Sequence, residues 1–226
     1  MKFMPKIAGA ALAMATLVSP ARAEDATEGG VVINNFSFIG VEYAYRQLRH
    51  GYGDGSSHEA VITLSKEWTV ARPAHGSVGI VLGPSISYAN SHYTDHGTDA
   101  TTMDIGGRVG IVTESVTKAS AIMLFVDASW QRDDVQGTAH KYGIGLEPGI
   151  LASFRVMPKT ALVAEFKYIG FSDVDRVENG ASCQARLGGL FVLSQHLGLE
   201  VGGVIAPDSR DTYRSAGGYL RISRAF

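Results

Sequence analysis

The chain has 226 residues, with 27 glycines, 7 prolines and a single cysteine. Glycine stands well above its usual share of about 7%, yet scarce proline and 45% hydrophobic content argue against disorder. A formal charge of −2 offers no basic surface for nucleic acid, and the lone Cys183 excludes an internal disulfide or a cysteine zinc cluster.

The first 23 residues read as an address. Lys2 and Lys6 make a positive start, and residues 7–18 form an uncharged, mostly apolar run. Ser19-Pro20 breaks it, and Ala21-Arg22-Ala23 fits a small-x-small cleavage site. This is the pattern of a secretory signal peptide, cut after Ala23. The run is too short for a membrane helix, which needs roughly 20 apolar residues. Cleavage removes Lys2, Lys6 and Arg22 and no acid, so residues 24–226 carry 17 bases against 22 acids.

Beyond Glu24 the hydrophobic pattern has a period of two, as strands require. In residues 121–131, Ile122, Leu124, Val126, Ala128 and Trp130 share one face, while Asp127, Ser129 and Gln131 share the other with Met123 and Phe125. In 160–171, Leu162, Ala164, Phe166 and Tyr168 oppose Glu165 and Lys167. Ten such segments follow one another: 32–47, 59–72, 77–90, 101–115, 121–133, 141–156, 160–173, 182–194, 197–207 and 213–226. Their connections alternate. Short ones fall at 72–76, 116–120, 157–159 and 194–196, and longer polar ones at 51–57, 90–100, 133–140, 175–181 and 207–212. The expected fold is all-β: a transmembrane, antiparallel, up-and-down β-barrel over residues 24–226 with ten strands, eight or twelve being alternatives. Short turns on one side and long loops on the other are the pattern of such barrels. In hydrocarbon every backbone group must be paired, so only helices and closed barrels span a bilayer. Trp68, Phe154 and Phe226 lie on the outward phase toward the turns, and Tyr88, Trp130, Tyr142 and Tyr168 toward the loops, where headgroup-level aromatics belong.

The inward phase collects Glu42, Arg46, Glu67, Asp104, Arg108, Asp127, Glu147, Glu165, Lys167, Arg186, Glu200 and Arg221. A barrel of this size is nearly filled by side chains, so these charges are expected to pair into an ionic plug. Glycines at 79, 83, 106, 110, 143, 145, 149, 188, 198 and 202 share that face and make room for the long chains. The competing expectation is a narrow polar pore. Lys66 is a misfit on the outward phase. Either a bulge shifts the register there, or Lys66 sits near the turn-side interface.

The chain ends Gly218-Tyr219-Leu220-Arg221-Ile222-Ser223-Arg224-Ala225-Phe226. Gly218, Leu220, Ile222 and the terminal Phe226 share one face. This resembles the C-terminal signature of bacterial outer-membrane β-barrel proteins, small barrels of the OmpA-, OmpX- or OmpW-like class. Arg224 departs from that signature, where an apolar residue is commoner. The resemblance implies a Gram-negative outer membrane as location and that membrane's lipid, lipopolysaccharide or phospholipid, as surroundings. It also implies recognition of the last strand by the barrel assembly machinery. A monomer is expected, with no cofactor, no metal and no nucleic acid; the extracellular ligand is left open.

Some outer-membrane barrels are rim enzymes: lipid A acyl hydrolases or transferases, and omptin-like proteases. Ser91, His92, Asp95 and His96 are the residues here that invite that reading, because a general-base histidine needs an oriented acid and a nucleophile or water. Their spacing matches neither enzyme pattern. The function expected is therefore structural: a plugged barrel that presents its loops. The pore and the rim enzyme stand as alternatives.

Overall fold

A computed structural model describes residues 36–49, 54–94, 97–115, 117, 119–137, 140–169, 183–206 and 215–226. The signal-peptide reading of residues 1–23 lies outside them.

The ten expected strands are ten strands. They are β1 (Phe38–Leu48), β2 (Gly55–Ala71), β3 (Gly76–Tyr93), β4 (Thr98–Ser115), β5 (Ser120–Val135), β6 (Lys141–Met157), β7 (Thr160–Tyr168), β8 (Cys183–Val192), β9 (Leu197–Ala206) and β10 (Ser215–Ala225). Each pairs antiparallel with its sequence neighbours, and β1 pairs with β10, so the sheet closes on itself without an edge. Closure satisfies every strand's backbone partners, which an open sheet of this size leaves to its edges.

Because the side-chain period is two, closure sorts the residues onto two walls. The outer wall carries the apolar phase: Leu124 is 63% exposed, Ile111 58%, and Leu64, Leu146, Phe166 and Ile222 are all exposed. The inner wall carries the charges, the small residues and a smaller apolar set. Cys183 takes the outer phase of β8, opposite Tyr168.

Two expectations are corrected. First, the connection at 90–100 is not long. Strand pairing continues through His92↔Asp99 and Tyr93↔Thr98, leaving residues 94–97, whereas β5–β6 pairing reaches Asp133↔Lys141 and leaves 134–140, as expected. Gly97 (φ 58°) and Gly137 (φ 84°) take the left-handed backbone conformation, one in each of these connections. The polar residues at 90–100 extend the β3–β4 hairpin, because backbone pairing does not require apolar side chains. β3 and β4 reach 18 residues each, beyond the roughly 9–11 that a bilayer requires. Second, no bulge occurs at Lys66. The β2–β3 register is the same on either side of it and shifts only between Thr69 and Ala71. Lys66 keeps its outward phase and lies at the turn end, its ammonium 5.2 Å from the centre of the Phe226 ring.

Candidate functional site

The inner wall changes character with depth. Toward the turns it is apolar. Val81, Val112, Ala121, Met123, Phe125, Leu151 and Val163 pack into one cluster, closed by Phe36 from the segment before β1 and flanked by Leu190. That entering segment is tied down: the Ser37 carbonyl accepts the Phe226 N–H at 3.2 Å, and its hydroxyl accepts the Glu67 N–H at 3.1 Å. Glycine shapes the packing at one point. A Cβ on Gly149 would stand 2.5 Å from Phe125 Cζ, so only glycine lets that ring lie against β6.

Directly above lies a belt of charge. Arg108 donates to Asp127 from Nε and Nη2 at 2.7 and 2.9 Å, and to Glu165 at 2.8 Å. Lys167 donates to Glu147 at 2.7 Å, with Asp127 3.9 Å away. Arg186 meets Glu42 at 2.7 Å. Glu200 accepts from the Tyr219 hydroxyl at 2.7 Å and from Arg221. The guanidiniums also stack: Arg108 sits 3.6 Å from the Phe125 centroid and Arg186 4.0 Å from that of Tyr219. Such stacking over a ring face is favourable, more so where water is excluded. The belt is therefore held laterally by ion pairs and vertically by rings. A buried charge is tolerated only when paired and hydrogen-bonded in this way.

The twelve inward charges do not form one plug. Nine of them, Glu42, Arg108, Asp127, Glu147, Glu165, Lys167, Arg186, Glu200 and Arg221, make the belt. Glu67 lies below it, facing Gly79. Arg46 and Asp104 lie above it: Arg46 pairs with Glu59 at 2.8 Å, and Asp104 accepts from Gln131 at 2.6 Å. Above the belt the wall turns to small hydroxyl residues, among them Ser57, Ser85, Ser87, Thr102 and Ser129. They line the upper part of a cavity of about 290 Å³ that continues down between the belt charges to Phe36, Val81, Met123 and Leu151 of the plug. Leu48, Tyr93 and Ala100, with Val135 beside them, form a second apolar cluster at the loop end.

The rim candidates separate. Ser91 and His92 are adjacent in β3 and face opposite walls. The Ser91 hydroxyl is buried and donates to the Ser57 hydroxyl at 3.0 Å, whereas His92 is exposed with Nδ1 2.7 Å from Asp99. Asp95 and His96 lie outside the described residues. Two more histidines have acceptors or donors on the outer wall: His58 with the Tyr43 hydroxyl at 2.5 Å, and His140 with Asp134. Asp134 lies loop-ward of the stacked Trp130–Tyr142 pair, and the hydrogen bond from Arg132 holds its carboxyl below the usual carboxylate range. Among the described residues, no group of three or more His, Cys, Asp or Glu side chains is placed to hold a metal ion.

Sequence reasoning missed Glu59, Tyr219 and the apolar plug. Glu59 opened the expected second strand, whose true start at Gly55 places it firmly on the inner wall. Tyr219 was passed over beside the signature residues of β10. For the plug, the signal was present in Met123 and Phe125, which share the phase of Asp127. Gly218, Leu220 and Ile222 take the outer wall of β10, and Phe226 lies at the turn end beside Lys66.

No protein-family model matches the chain, and no curated protein matches it. Solved structures are similar to it. The transport unit of the autotransporter AIDA-I from Escherichia coli is 12% identical, with 98% of this chain and 99% of that one covered and a TM-score of 0.47. The NanC porin is 9% identical, with 83% and 100% covered and a TM-score of 0.47. An outer membrane channel from Pseudomonas putida F1 is 12% identical, with 90% and 100% covered and a TM-score of 0.41.

Proposed function

We propose that residues 24–226 form a monomeric barrel of a Gram-negative outer membrane, exported by the signal peptide 1–23, whose closed lumen makes it an anchor for surface loops rather than a channel. Membrane residence is supported by the outer wall. Exposed Leu, Ile, Val and Phe side chains ring the barrel, bounded by Trp68, Phe154 and Phe226 toward the turns and by Tyr88, Trp130 and Tyr142 toward the loops. A soluble protein rarely exposes apolar patches beyond a few hundred Å². Lipid is then the partner of this wall, and Gly218, Leu220, Ile222 and Phe226 are the surface offered to the barrel assembly machinery.

Closure is carried by one observation: the apolar cluster of Phe36, Val81, Val112, Met123, Phe125, Leu151 and Val163 lies beneath a belt in which each charge has a partner. An ion crossing this lumen would shed water into hydrocarbon and displace arginine–carboxylate pairs, both costly. The expected result in a planar bilayer is no stable conductance from pure monomer. A steady nanosiemens-scale channel would restore the pore reading. Outer-membrane fractionation with heat-modifiable migration on gels tests location, and a periplasmic protein without a heat shift would overturn it.

A further inference from the structure

We infer that the lumen cavity, which runs from the hydroxyl-lined wall between the belt charges to the top of the plug, is a binding site for a small, neutral, hydroxyl-rich solute of monosaccharide size. The inference rests on the closed lumen proposed above, because a blind chamber holds a solute where a channel passes it on.

Size comes first. The cavity of about 290 Å³ lies at the lower edge of the roughly 300–1,000 Å³ range of small-molecule sites, enough for one ring-sized solute and not for a chain of them. Chemistry comes second. Ser85 and Ser87 on β3, Thr102 on β4 and Ser129 on β5 present hydroxyls from three adjacent strands, and each both donates and accepts. The cavity also reaches Phe38 and Leu151, carbon surfaces suited to the C–H faces of a sugar ring.

Charge decides between neutral and ionic ligands. The lining holds six acids and five bases. Each has a protein partner: Glu42 with Arg186, Glu59 with Arg46, Asp104 with Gln131, Asp127 and Glu165 with Arg108, Glu147 with Lys167, and Arg221 with Glu200. A charged solute would lose its hydration and find no uncommitted counter-charge, which is costly. An anion would in addition meet a wall with one more acid than base. A neutral polyol leaves every ion pair intact and exchanges water hydrogen bonds for hydroxyl ones.

The test is calorimetric titration of the mature protein, refolded in detergent, with glucose, galactose and mannitol, and with gluconate and protonated glucosamine as charged counterparts. The expected result is saturable binding of at least one neutral probe, with its charged counterparts weaker by about tenfold or more. Ser87→Leu fills the chamber and should abolish binding while the heat-shifted band on gels is retained. Thr102→Leu, from the neighbouring strand, is the second variant should the first not fold. No saturable binding of any neutral probe, equal binding of the charged ones, or unchanged binding by both folded leucine variants would each overturn the inference. Conductance recorded on the same preparations separates the two readings. Binding by a barrel that conducts overturns closure alone, and a closed barrel that binds nothing overturns this inference alone.

Discussion

The lower half of the lumen is packed with carbon, and the upper half is lined by hydroxyls around a void that reaches down to the plug's top. β5 records the whole change along one wall. Its inward residues run Ala121, Met123, Phe125 and then Asp127, Ser129, Gln131, Asp133. The two halves share strands, register and alternation, so the difference lies only in which side chains occupy the inward phase. Large apolar chains meet across the barrel and expel water. Serine and threonine are too short to meet, and the space between them remains. The belt sits at the boundary, where Arg108 pairs with carboxylates on one side and lies on the Phe125 ring on the other.

The largest effect should come from breaking that boundary. Arg108→Met strips Asp127 and Glu165 of their closest cation and leaves carboxylates poorly compensated beside the plug. Breaking a buried pair from one side costs about 3–5 kcal/mol. Urea unfolding of the barrel in lipid vesicles, followed by tryptophan fluorescence, should show a loss of that size. A change under about 1 kcal/mol would mean that water screens the belt as it screens a surface pair.

Truncating the plug comes next. Phe125→Ala removes the ring that fills the space at Gly149 and carries Arg108. The expected loss is about 3 kcal/mol, at the low end for a buried Phe→Ala because water can enter from the chamber. Paired with Met123→Ala, it should also give measurable ion conductance where the wild type has none. Stability lost without conductance would assign closure to the belt rather than to the plug.

The upper half should respond weakly. Arg46 and Glu59 pair at 2.8 Å with side chains about one-fifth exposed, much as Arg108 and Asp127 are; what sets the belt pair apart is Glu165, a second carboxylate on the same guanidinium that is only 8% exposed. Glu59→Gln should cost about 1 kcal/mol, near the upper end for solvated pairs. A loss matching that of Arg108→Met would erase the energetic difference between the two halves.

The barrel itself was legible because period-two alternation sets inside against outside, and a one-residue error inverts every side chain. The inward phases of Glu42, Arg108, Asp127, Glu165 and Arg186 could be read strand by strand. Their partners could not, since pairing across a lumen depends on strand stagger and tilt, which no single segment encodes. Arg108 meets Glu165, a residue 57 positions away on β7, which is not a neighbouring strand. The division into plug and chamber was hidden for a related reason. β3, β4, β6 and β7 each contribute a single residue to the plug, and Val81, Val112, Leu151 and Val163 become a cluster only when the sheet closes. Strand ends misled for the opposite reason: Ser91, His92 and Asp99 look like loop residues by polarity, yet backbone pairing carries on through them.

The smallest effects separate two neighbours in that extension. Ser91 and His92 are consecutive, so the pleat sends one inward and the other outward. Ser91→Ala removes a buried hydroxyl bond and leaves the Ser57 hydroxyl with one partner fewer, a loss of about 1 kcal/mol. His92→Ala removes a contact between side chains that are 56% and 63% exposed, where even an ion pair is worth about 0.2–1 kcal/mol at most. The serine variant should therefore be the less stable of the two. The reverse order would require His92 to be buried by a loop that folds over it. That would reopen the rim as a site, because a shielded His–Asp pair beside polar loops is where general-base chemistry is found. With the histidine exposed and the serine on the other wall, no proton passes between them, and the pair acts as the end of a hairpin.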